Sequence, residues 1–101
     1  MHPILTDNLD SITELCQKYR VTRLDAFGSV LSDQFGPESD IDFLVHFHRE
    51  GFQGGFTQFM GFKEELERTF QTRVELVNTR GIRNLVFERE VNSTKNNLYA
   101  A

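Results

Sequence analysis

A chain of 101 residues with a net charge of -4, 39% apolar residues and ten Phe has room for one domain, over 1–101, with one modest core. The scattered Lys and Arg exclude the broad basic footprint of a nucleic-acid binder, and a lone cysteine, Cys16, excludes an internal disulfide or a thiolate zinc set. No apolar run nears membrane-spanning length and no signal-peptide pattern opens the chain, so the sequence predicts a soluble cytoplasmic protein with no membrane partner.

In chain order, the first predicted element is a helix over 7–20. Leu9, Ile12, Leu15, Cys16 and Tyr19 recur at helical spacing, and Thr6 or Asp7 supplies a capping oxygen. A short strand follows over 21–27 and stops at Gly28-Ser29. Val30, Leu31 and Phe35 predict a brief helical turn, which Gly36-Pro37 breaks. The strongest strand signal covers 41–47. Ile41, Phe43, Val45 and Phe47 line one face, and Asp42, Leu44 and His46 line the other. Apolar residues on both faces predict a central strand. Residues 49–55 read as a loop, 57–70 as a helix striped by Phe59, Phe62, Leu66 and Phe70, 74–77 as a strand and 82–91 as a second amphipathic helix. Leu98-Tyr99 predicts a last edge strand or a docking point. The sum is an α/β (α+β) fold, a small mixed sheet flanked by helices.

Two local signals carry chemistry. Residues two apart in a strand point the same way, so the carboxylates of Asp40 and Asp42 emerge together. Like charges so close repel, and one holds a proton unless a cation lies between them; Mg²⁺ is the oxygen-seeking candidate. At Gly28 the backbone can turn sharply, and Ser29 adds a hydroxyl donor where a helical turn begins, an arrangement suited to an anion. Glu75 lies in the strand at 74–77. It is either a third carboxylate for the same centre or an exposed residue paired with Arg73 or Lys63. His46 and His48 lack further zinc ligands nearby in sequence, and Gly51, Gly54 and Gly55 lack the Gly-Lys-Ser/Thr ending of a P-loop. The Phe residues between 52 and 70 exceed what a small core buries and predict a protein interface.

Phe27-Gly28-Ser29, ten residues, then Ser39-Asp40-Ile41-Asp42-Phe43-Leu44-Val45 resembles the Gly-Ser-x10-Asp-x-Asp signature of the polymerase-β-type nucleotidyltransferase superfamily. The short chain resembles its minimal branch, the MNT domains that serve as antitoxins in HEPN/MNT toxin–antitoxin pairs. The resemblance implies the nucleotidyltransferase fold, with ATP as substrate and Mg²⁺ as cofactor. Gly28 and Ser29 would hold the triphosphate, Asp40 and Asp42 would bind the metal, and Glu75 would be the third carboxylate and candidate base, where many members carry Asp. It further implies a protein adenylyltransferase that attaches AMP to a tyrosine of a HEPN ribonuclease toxin and releases pyrophosphate. The alternative is an antitoxin that neutralises its toxin by binding alone.

Overall fold

The computed structural model describes residues 2–32, 35–36, 38–48, 54–78 and 95–101. Residues 49–53 of the loop expected over 49–55, and the helix expected over 82–91, lie outside them.

The helix predicted over 7–20 is α2 (Leu9–Lys18), and a short helix that was not predicted, α1 (Pro3–Thr6), precedes it. Pro3 begins α1, where its missing N–H is no loss, and His2 Nδ1 accepts from Ile4 N at 3.1 Å. Neither Thr6 nor Asp7 caps α2; Asn8 takes that position. The Asn8 amide instead donates back to the Ile4 carbonyl at 2.7 Å, tying the two helices together. Ile12 and Cys16 carry the buried stripe of α2, whereas Leu9, expected in it, is largely exposed. Burial pushes the Cys16 thiol up to about 12, so this cysteine acts as a small apolar residue.

Strands β1 (Val21–Phe27) and β2 (Ile41–Phe47) have the predicted bounds. A four-residue 3-10 turn, Gly28–Leu31, follows β1. Helix α3 (Gly55–Phe70) starts two residues before the expected Thr57 and buries Phe62, Leu66 and Phe70, with Phe59 half-buried. It packs close to the end of α2. The Gln58 amide donates to the Tyr19 carbonyl at 2.7 Å, and a Cβ at Gly61 would lie 2.9 Å from the Tyr19 ring. Strands β3 (Val74–Asn78) and β4 (Asn96–Ala100) complete one sheet in the order β3-β2-β1-β4. Leu98 and Tyr99 therefore sit in an edge strand.

β1 runs antiparallel to β2 and β4, and β2 runs parallel to β3. The central position expected for β2 is the one found. Its Phe43 and Val45, with Leu24 and Ala26 of β1, pack under the described helices in the main core with Ile12, Phe62 and Leu66. The opposite face holds a small apolar patch of Phe27 and Leu44, with Val77 against it, and most of the sheet's carboxylates.

Candidate active site

The end of β1 and the starts of β2 and β3 meet at one end of the sheet, because β1 is antiparallel and β3 parallel to β2. In register, Asp42 stands opposite Phe27 on one side and Glu75 on the other. Cross-strand partners share a face, so the Asp42 and Glu75 carboxylates project together. Asp40 lies just before β2, and the backbone N–H of Ile41 donates to the Arg73 carbonyl at 3.0 Å, fixing the two strand starts side by side. The sequence-predicted residues Gly28, Ser29, Asp40, Asp42 and Glu75 are thus gathered at one end of one sheet.

Gly28 has φ +76°, and a Cβ at this position would collide with Asp42 Oδ2. Glycine is required twice over, by its backbone and by the carboxylate lying against it. The turn that follows is a four-residue 3-10 turn and not a long helix. Its affinity for an anion therefore rests on local N–H groups and the Ser29 hydroxyl. Among the described residues that hydroxyl makes no hydrogen bond, while the Ser29 carbonyl accepts from Ser32 N and Oγ at 2.9 and 3.0 Å.

Electrostatics set Asp42 apart. Burial, then the charges of Glu75 and Asp40, hold its carboxyl above the usual carboxylate range. Asp40 Oδ1 is shielded from water and has no hydrogen-bond donor, although Arg73 Nε stands 3.1 Å away. That approach is an ion pair out of line for a hydrogen bond. Glu75 is exposed, and neither cation named for it in the sequence reading is its partner. Arg73 goes to Asp40, and Lys63 pairs with Glu67 at 3.2 Å.

These groups fit a hard divalent cation. They offer a repelled carboxylate, a water-shielded oxygen without a donor, and a third carboxylate in register. Among the described residues no three ligating side chains close into a ready-made metal cage. Mg²⁺ does not need one, since it takes one or two carboxylates and completes its shell with water and phosphate oxygens.

A further acid on this face did not stand out in the sequence. Asp25 of β1 is fully buried. Arg23 Nε donates to both its oxygens at 3.0 and 3.3 Å, Asn97 Nδ2 donates to Oδ1 at 3.1 Å, and Lys95 Nζ stands 3.9 Å from Oδ2. His46, on the same face, is held below its ordinary value chiefly by burial, with the Asp25 charge opposing. The local signal was the Arg-x-Asp spacing within β1; Lys95, just before β4, and Asn97, in it, are remote in sequence.

A Gly-Ser turn packed on a carboxylate at the mouth of a small mixed sheet, with two more acids beside it, defines the nucleotidyltransferase fold. Residues 10–98 match the family model described as Nucleotidyltransferase domain, and the chain belongs to that family. It is 29% identical over 77 residues to "Putative protein adenylyltransferase MJ1379" of Methanocaldococcus jannaschii, covering 76% of each chain. Among solved structures, a "putative minimal nucleotidyltransferase" superposes with TM-score 0.77 at 25% identity, covering 95% of both chains. A toxin–antitoxin with AMP-PNP superposes with TM-score 0.72 at 20% identity, covering 93% of this chain and 74% of that one. A tri-AMPylated Shewanella oneidensis HEPN toxin in complex with MNT antitoxin gives TM-score 0.66 at 18% identity, covering 96% and 73%.

Proposed function

We propose that this chain is a Mg²⁺-dependent adenylyltransferase that moves AMP from ATP to a tyrosine hydroxyl of a HEPN ribonuclease toxin and so acts as its antitoxin in the cytoplasm. The observation that carries the reading is the seating of Gly28 against Asp42, with Glu75 in register beside it. The AMP-PNP and AMPylated-toxin complexes among its structural neighbours support the nucleotide and the partner. Phe56, 78% exposed at the start of α3, supports a protein-binding surface.

The residues divide the work. The turn at Gly28-Ser29 binds the β- and γ-phosphates through N–H groups and a hydroxyl, which orients pyrophosphate as the leaving group. Asp40 and Asp42 would hold Mg²⁺, which would supply charge neutralisation at the phosphate oxygens. The tyrosine oxygen attacks the α-phosphorus; the new O–P bond forms as the α–β bridging P–O bond breaks. Glu75, the exposed acid of the set, accepts the hydroxyl proton. Little covalent chemistry falls to the protein, so positioning and charge do most of it.

The test incubates the chain with α-labelled ATP, Mg²⁺ and the HEPN protein, comparing wild type with Asp42→Ala. Label on a toxin tyrosine with wild type, absent with the variant, is the expected outcome. An unlabelled toxin that both forms neutralise would establish neutralisation by binding alone.

A further inference from the structure

Arg73 has a part in this site that neither the motif nor the family match assigns. It stands immediately before β3, opposite Asp40 and two residues before Glu75. Its backbone is anchored by the Ile41 N–H at 3.0 Å. Its side chain is not anchored: it is 79% exposed, and among the described residues Asp40 is its sole partner. That contact is poor in one specific way. Nε reaches 3.1 Å from Asp40 Oδ1 but is misaligned, and the oxygen is left shielded from water with no donor. Misaligned contacts are weak, so this pair costs little to break. The guanidinium is nevertheless the cation paired to a cluster of three carboxylates, among the described residues.

Position adds a second argument. Across the sheet the Gly28-Ser29 turn lies on the β1 side, the carboxylates of Asp40 and Asp42 in the middle, and Arg73 on the β3 side. A phosphate over the carboxylates has N–H donors on one flank and a pivoting guanidinium on the other. The planar fork of Arg suits phosphate oxygens, on which charge accumulates during transfer.

We infer that Arg73 is an exchangeable counter-cation: it occupies Asp40 until a divalent cation displaces it, and the released guanidinium then closes on the phosphate of the bound nucleotide. The phosphate half rests on the function proposed above; the displacement half does not.

The experiment titrates the full chain with Mn²⁺ by EPR, without nucleotide and with Mg²⁺ as competitor, for wild type, Arg73→Ala and Arg73→Lys. Removing one positive charge beside the carboxylates is expected to tighten Mn²⁺ by about fivefold in Arg73→Ala, while Arg73→Lys stays near wild type. Transfer to the HEPN toxin at saturating metal and ATP is expected to slow about a hundredfold in Arg73→Ala, with part of the rate restored in Arg73→Lys. Unchanged or weaker Mn²⁺ binding in Arg73→Ala overturns the displacement, and an unchanged transfer rate overturns the phosphate contact. A wild-type protein that moves no AMP overturns the proposed function and with it the phosphate contact, and the EPR arm still decides the displacement on its own.

Discussion

One face of the sheet carries two buried or half-buried aspartates that the protein treats in opposite ways. Asp25 is fully buried and met by Arg23, Lys95 and Asn97. Asp42, on the neighbouring strand, meets a glycine, an aromatic ring and two more acids in its sheet register and immediate surroundings. A buried carboxylate needs compensation. At Asp25 the chain provides it, so that site is closed and serves the fold. At Asp42 the chain withholds it and adds like charge, so the group either holds a proton or takes a cation from outside. The contrast marks Asp25 as a structural acid and supports, without reference to any motif, the metal role proposed for Asp42.

The comparison is sharpest in a pair of isosteric substitutions. Asp42→Asn is expected to cut AMP transfer about a thousandfold with no loss of stability to urea, because it removes a repelled charge. Asp25→Asn is expected to lower stability by about 2 kcal/mol, since it removes the buried acceptor on which Arg23 and Asn97 converge and leaves an amide in its place, while transfer per folded molecule persists. Urea melts and single-turnover transfer on both variants check this; equal melts would erase the distinction. A smaller, mixed effect is expected of Gly28→Ala. Its Cβ must displace the Asp42 carboxylate and its backbone must hold φ +76°, so stability falls by about 1 kcal/mol and transfer by about tenfold, read by the same two assays.

The mildest expectation concerns pH. The Asp42 pKa is raised in the folded chain, so this group favours folding below its ordinary carboxylate value and loses that contribution as pH rises through the folded value. Metal binding needs the ionised form and runs the other way. Mn²⁺ affinity should therefore fall on acidification at a higher pH than an ordinary carboxylate gives, and Glu75→Gln should move that fall to lower pH. EPR titrations across pH measure both; a midpoint unmoved by Glu75→Gln would remove the charge coupling between the two strands.

Much of this was readable from local pattern. The bounds of β1 and β2 follow from alternation and from Gly28, and the face shared by Asp42 and Leu44 follows from period two. The register that brings Glu75 opposite Asp42 did not, because parallel pairing of β2 with β3 is set by packing across an intervening helix. The same non-locality hid the Asp40–Arg73 pair and gave Glu75 the wrong expected partners. The short α1 was missed for another reason. Four residues are too few to show an apolar period, and its local signals are only Pro3 at the first helical position and the His2 side chain that accepts from Ile4 N.

The edge strand β4 has a consequence for how the chain is made. Asn97 reaches Asp25 across 72 residues of sequence, and the β1–β4 ladder closes over the same span. Closing so long a loop is entropically late and slow. On a ribosome, β1 and β2 can zip as soon as both emerge, but Asp25 waits for Lys95 and Asn97 before its charge is fully met. Among the described strands β4 emerges after the other three, so a nascent chain meets the Asp25 charge in full only once residues 95–100 are out.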